Sequence, residues 1–142
     1  MAKLTVELVT AERRVLTQEA DIVIAPTVEG TIGILPRHAP LMGALSPGVM
    51  VLRNDGEEEL LAVSGGFLQV SRNHVLILAD SAERADEVDE QRAVEARAQA
   101  EVALKEASAH PGDLQSEAAR AALRLSLARL NVAQRRRRRT SL

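Results

Sequence analysis

The sequence predicts an α+β protein: an N-terminal antiparallel β-sandwich over residues 1–84, then a C-terminal antiparallel two-helix hairpin over residues 85–142. Three observations carry this. Residues 3–79 hold fifteen Val and Ile, seven of the eight Gly and four of the five Pro, a vocabulary of short strands and turns. From Asp80 onward Ile is absent, only four Val remain, and fifteen Ala are mixed with Glu and Arg, which favour helix. Within that second part, apolar positions recur at helical spacing on both sides of a Pro-Gly turn.

The elements follow in order. Leu4, Val6 and Leu8 alternate with Thr5, Glu7 and Val9, the period of a half-buried strand. Val15-Leu16 and Asp21 to Ala25 give two more, and Pro26 is expected to end the second because it has no N–H for a ladder. Ile32, Ile34 and Leu35 form a short apolar segment among Gly30, Gly33 and Pro36. Val49 to Leu52 runs into Asn54-Asp55-Gly56, a hairpin turn signal, and Leu60 to Val63 returns from it. Gly65-Gly66 reads as a break, followed by Phe67 to Val70 and Val75 to Leu78. Many short strands with closely spaced turns favour a sandwich or barrel.

Asp86 is placed to cap the first helix, with Asp89 three positions on and acids clustered in the first turn. That helix is expected to run to about Ala107, with Ala93, Ala96, Ala100, Ala103, Leu104 and Ala107 on its small face. His110-Pro111-Gly112-Asp113 is a compact turn. The second helix sets Leu114, Ala118, Ala121, Leu125, Ala128 and Val132 on one face, expected to pack on the first helix. At about 100° per residue, Leu123, Leu127 and Leu130 form a second stripe nearly opposite. A two-helix hairpin alone needs one apolar face, so the second stripe must meet the β body or another protein. A buried Ala methyl contributes about 0.8 kcal/mol and a buried Leu roughly 1.5–3 kcal/mol, so an Ala-rich hairpin is weakly held.

Composition excludes several functions. There is no Cys, Trp or Tyr, and Phe67 is the lone aromatic residue. Disulfide and thiol chemistry are therefore ruled out, and so is an aromatic stacking platform for nucleic acid. His38, His74 and His110 lack metal-ligand spacing. There is no Gly-rich phosphate loop before a helix and no nucleophile elbow. An independent enzyme is not expected. Met1-Ala2-Lys3 leads straight into the first strand, and the longest apolar runs are too short to span a bilayer, which predicts a soluble protein.

The net charge of −2 conceals a strong partition. Residues 80–106 carry nine acidic and four basic side chains, while residues 111–142 carry two acidic and eight basic, including Arg135 to Arg139 in a row. Such a tail seeks an anionic surface or stays solvated. A nucleic-acid-binding module built on this tail is a rival reading, weakened by the acidic balance of the whole.

One segment is distinctive: Glu29-Gly30-Thr31-Ile32-Gly33-Ile34-Leu35-Pro36-Arg37-His38-Ala39-Pro40, followed by Leu45-Ser46-Pro47-Gly48. A second is Val63-Ser64-Gly65-Gly66-Phe67 with Leu78 to Ala85, and a third is Val88-Asp89-Glu90-Gln91-Arg92-Ala93. In this order, across essentially the whole chain, they resemble the epsilon subunit of bacterial F-type ATP synthases. The resemblance implies a non-catalytic subunit of the rotor, the central stalk that couples ion-driven c-ring rotation to ATP synthesis. It implies a peripheral position on the cytoplasmic side of the bacterial inner membrane. Its implied partners are the gamma subunit, the c-ring and, when the hairpin extends, the alpha/beta catalytic head.

By the same resemblance, Gly30, Thr31, Ile32, Gly33 and His38 match the edge facing the c-ring and gamma, although Thr31 replaces an acid found in some relatives. No cofactor is required, but ATP is a candidate regulatory ligand. Asp89 and Arg92, with Arg124 and Arg129, match a motif that binds ATP in some members; without it, Asp89 and Arg92 are a helix-start acid and an exposed ion pair. A stand-alone ATP sensor built on these residues is a further alternative. The resemblance also implies that the extended hairpin inhibits hydrolysis. Arg120, Arg124, Arg129, Arg135, Arg136, Arg137, Arg138 and Arg139 would then meet an acidic segment of beta, while Leu123, Leu127 and Leu130 would supply buried contact.

Overall fold

A computed structural model describes residues 2–107 and 114–140, with side chains over 2–107 and 116–136. Eight strands come first: β1 (Leu4–Val9), β2 (Arg14–Ala20), β3 (Ile22–Thr27), β4 (Gly30–Ile34), β5 (Leu41–Leu45), β6 (Gly48–Asn54), β7 (Glu57–Ser71) and β8 (His74–Arg84). A 3-10 turn over Ala85–Glu87 leads to α1 (Glu90–Ala107), and α2 (Leu114–Thr140) is the last element. The strands hydrogen-bond in the order β2-β1-β8-β7-β5-β3-β4, with β6 joining β3 and β7. All pairs are antiparallel except β1 with β8.

Two layers arise because β7 and β8 are long enough to serve both. Residues 66–70 of β7 pair with β5, whereas residues 57–63 pair with β6. Between the halves the inward-facing side of the strand changes. Leu68 and Val70 point into the main core, but so do Leu61 and Val63, which have the opposite parity. β8 switches in the same way, from Val75, Ile77 and Ala79 to Ala82. The register between the strands is unchanged from Leu61↔Arg84 to Ser71↔His74.

Gly65-Gly66, expected as a break, is instead the place where one unbroken strand changes face. Gly66 has φ +119°, and a Cβ there would overlap the Leu78 carbonyl oxygen. A Cβ at Gly65 would collide with the Asp80 carboxylate. The Asp80 side chain can swing aside, but the backbone at Gly66 cannot, so glycine is required at Gly66 for both strands to turn over together. The main core is aliphatic and closes between the layers around Leu4, Leu8, Ile34, Met50, Leu52 and Ile77.

Several expectations need correction. Pro26 does not end its strand: β3 continues to Thr27, Pro26 lies opposite Thr31, and its carbonyl accepts from the Ser46 N–H at 3.1 Å. Its missing donor falls near the strand end, where the cost to the ladder is small. β5 was not expected, because Leu41-Met42-Gly43-Ala44-Leu45 shows no β-branched enrichment. Asp86 sits inside the 3-10 turn, and Asp89 caps α1 instead. The Asp89 Oδ1 accepts from the Arg92 N–H at 3.2 Å, the bond expected of an N-cap. The turn read at His110–Asp113 lies outside the described residues.

The two faces of α2 exist, but their partners are exchanged. Ala128 and Val132 pack on the outer face of the sandwich, against Val51, Leu60 and Ala62. Leu130 is buried on the opposite side together with Ala119, Ser116 and Ser126, a heptad-spaced seam turned toward α1. Ser126 satisfies its hydroxyl by donating to the Ala122 carbonyl at 2.9 Å. Ala118 and Ala121 are exposed, as is Ala103 on α1; among the described residues the buried contact with the sandwich falls at Ala128 and Val132.

Candidate functional site

The sandwich has two outer faces, and among the described residues the hairpin covers only one. β3, β6 and the first half of β7 carry the hairpin. On the other side, the second half of β7 turns its odd-numbered residues outward. Phe67 is 61 % exposed, its ladder neighbour Leu78 is 49 % exposed, and Met42 on β5 is 73 % exposed. Ala44 lies opposite Phe67 from the β5 side. The lone aromatic side chain is thus on bare surface. Sequence reasoning missed this patch, although a signal was present: Leu68 and Val70 as the core pair place Phe67 on the other side.

The loop segment singled out from sequence is divided by β4. Gly30, φ +115°, ends the tight β3–β4 turn, where the Thr27 hydroxyl donates to its carbonyl at 2.5 Å. Thr31 and Gly33 are exposed on β4, while Ile32 is partly buried against the core. β4 is an edge strand. His38 lies past its far end, about 16 Å along a five-residue strand. There Pro36 and Arg37 (φ 69°) form the centre of a turn closed by the His38 N–H donating to the Leu35 carbonyl at 3.1 Å. The His38 Nδ1 is 2.8 Å from the Ala39 carbonyl oxygen. Asn73 ties this loop to the β7–β8 turn: its Oδ1 accepts from the Arg37 N–H at 2.6 Å.

The helix residues separate by role. Asp89 and Arg92 are together, with Nε 3.7 Å from Oδ2, but Arg92 is 81 % exposed and the contact is too long for a hydrogen bond. Arg129 is not with them. Its Nη2 donates to the Glu83 carboxylate at 3.1 Å, and its Nε lies 2.9 Å from the other oxygen at a poor hydrogen-bond angle. Arg135 reaches Glu58 at 3.3 Å. Arg120 and Arg124 are exposed, and Arg124 is about 140° around α2 from Arg129. Leu123 is partly buried, Leu127 is 43 % exposed and Leu130 is buried. Arg136 is exposed and lines a recess with Glu58, Glu59 and Arg84. The side chains of Arg137, Arg138 and Arg139 lie outside the described residues.

Beside these pairs, the Arg84 Nε donates to Glu59 at 2.8 Å, and that carboxylate holds the guanidinium pKa above its ordinary value. Among the described residues no cluster of His, Cys, Asp or Glu is placed to hold a metal ion. No described helix is long and apolar enough to cross a membrane.

A face bearing large apolar side chains and a helical pair on the opposite face make the comparison with known proteins decisive. The family model for the β-sandwich domain of the ATP synthase delta/epsilon chain matches residues 3–85. The ATP synthase epsilon chain of Dehalococcoides mccartyi is 50 % identical over 137 residues, covering 96 % of both chains. The chain belongs to this family. The epsilon chain of Herpetosiphon aurantiacus is 51 % identical over 126 residues, 87 % of this chain and 93 % of that one. The fold recurs in a chain of the Euglena gracilis mitochondrial ATP synthase structure, with a TM-score of 0.77 at 23 % identity over 94 % of this chain and 82 % of that one. The epsilon chain is a non-catalytic subunit of the ATP synthase complex.

Proposed function

We propose that this epsilon chain is a central-stalk subunit that couples c-ring rotation to ATP synthesis, and that its hairpin restrains ATP hydrolysis. The observation that carries the first part is the bare face around Phe67, Met42 and Leu78, beside family membership. Large apolar side chains left together on one surface are the mark of a partner site. Gamma is assigned to this face, and the c-ring to the edge running from Gly30 along β4 to His38.

The second part is supported by the way the hairpin is held. On its own side, α2 buries one Ala methyl and one Val side chain against the sheet, roughly 2–4 kcal/mol before side-chain ordering is subtracted. Release also uncovers Val51, Leu60 and Ala62, yet the whole contact is five buried side chains, two of them alanine, small enough for a released state to be reached. Released, the basic helix would offer Arg120, Arg124, Arg129 and the tail arginines to an anionic surface of the catalytic head, with Leu123, Leu127 and Leu130 as apolar contacts. ATP belongs to the proposal as a regulatory ligand of Asp89 and Arg92; Arg129 would have to exchange Glu83 for a phosphate to join it. Calorimetry with ATP tests this ligand, and an absence of heat up to millimolar ATP rejects it.

Copurification tests the placement. With Phe67→Asp, capture of gamma should fall at least about thirtyfold, the scale of an interface hot spot. The isolated subunit should keep its melting temperature, because Phe67 is on the surface. Undiminished capture of gamma overturns the assignment of this face.

A further inference from the structure

The proposed function needs a hairpin that can leave the sandwich, and the structure assigns what holds it there. We propose that Arg129–Glu83 and Arg135–Glu58 form a two-stage ionic latch in which Arg129–Glu83 is the keystone. The same two arginines are then withheld from any outside anionic surface until the latch opens. This inference rests on the proposed function only for the use made of the released state; the latch itself is a property of the isolated chain.

The two pairs are unequal. Glu58 is shared: its Oε2 accepts from the Arg53 Nε of the sandwich at 2.9 Å, while its Oε1 faces Arg135 at 3.3 Å. Losing Arg135 leaves Glu58 with a partner on its own strand pair. Glu83 differs, because Arg129 is its ion-pair partner among the described residues. The Arg129 and Glu83 side chains are 22 % and 29 % exposed, whereas Arg135 is 39 % exposed. A guanidinium left in the more enclosed position without its carboxylate is the costlier loss.

Position adds to this. Arg129 lies between Ala128 and Leu130, which are buried on the two faces of α2. The keystone pair therefore sits where the sheet contact and the α1 seam coincide. Arg135 comes about 1.7 turns later, toward the basic tail. Opening is expected to begin with the outer pair and to require breaking the inner one. Both pairs retain enough exposure for dissolved salt to weaken them.

The absence of cysteine allows a direct test on the full chain. Thr17→Cys on the sandwich and Gln99→Cys on α1, both at exposed positions, accept spin labels. Pulsed distance measurements then give the ratio of docked to released hairpin. The ratio is followed along a urea titration, so that a fully docked parent still reports a shift. Glu83→Gln should lower it by about five- to tenfold and Arg135→Gln by about twofold, with smaller effects in high salt. Exchanging the charges, Glu83→Arg with Arg129→Glu, should restore most of it. Glu12→Gln removes an exposed acid that belongs to neither pair and should leave it unchanged. A Glu83→Gln hairpin as firmly docked as the parent, at low and high salt alike, overturns the latch. The ratio needs no head complex, so a failure of the inhibitory role in the assembled enzyme is a separate outcome.

Discussion

The two outer faces of the sandwich are built differently. The covered face is fine-grained: Val51, Leu60 and Ala62 meet Ala128 and Val132, and arginine–glutamate pairs stand at its margin. The bare face is coarse: Phe67, Met42 and Leu78 project with no part of the described chain over them. Small side chains and charge pairs suit a contact that opens. Large apolar ones suit a contact that stays closed once a partner arrives. Large side chains left exposed on one face and mostly small ones buried on the other divide a lasting contact from a reversible one.

Gly66 is what separates the faces, so changing it should have the largest effect. Gly66→Ala places a Cβ against the Leu78 carbonyl oxygen at φ +119°. A loss of about 3 kcal/mol is expected in denaturant unfolding, from strain and backbone displacement together. Stability within about 0.5 kcal/mol of the parent would show that the crossover tolerates a side chain. Phe67→Asp, by contrast, should spare stability and remove partner capture, which sharpens the distinction between the faces.

A smaller effect is expected at the start of α1. Asp89→Ala removes the acceptor for the Arg92 N–H and should cost about 1 kcal/mol of stability. Asp89→Asn, which can still cap, should cost much less. Equal losses for the two would mean that the carboxylate charge matters more than the cap.

The smallest effect concerns a cluster at the β6–β7 turn, next to the Arg53–Glu58 pair. The Lys3 ammonium is hydrogen-bonded to Asn54, to Asp55 at 2.8 Å and paired with Asp21 at 2.9 Å. Lys3 and then the Asp55 N–H hold the Asp21 carboxyl below its ordinary pKa, while Asp55 and Asp21 raise that of Lys3. A depressed carboxyl contributes stability above its unfolded pKa and loses it as pH falls through the folded one. The contribution should therefore fade below about pH 4, and the Lys3 counterpart above about pH 10.5. Lys3→Met should flatten the acid limb of the stability curve slightly; an unchanged limb would remove these groups from the account.

Much of the fold was legible because its signals are local. Alternation at Leu4, Val6 and Leu8 marked β1, and Asp55-Gly56 marked a turn whose residues both have positive φ. The β7–β8 turn was hidden, because Arg72 at φ 50° is an uncommon occupant of that conformation. The site was less legible. Period and angle revealed two faces on α2 but assigned them the wrong way round, since Ala128 and Leu130 are equally fit for the sheet or for α1. Pairing Arg129 with Glu83 spans 46 residues and depends on where α2 lands, which no spacing rule encodes. The patch at Phe67 was obscured because a diglycine was read as an interruption rather than as a change of face.

Truncation after Ala85 tests the central claim most directly. It strips the fine-grained face and leaves the coarse one intact. In a reconstituted head complex, at low ATP and without membrane energisation, the shortened chain should be incorporated in the same amount as the full one, and ATP hydrolysis should be faster. Equal incorporation with an unchanged hydrolysis rate would contradict the assignment of regulation to the hairpin.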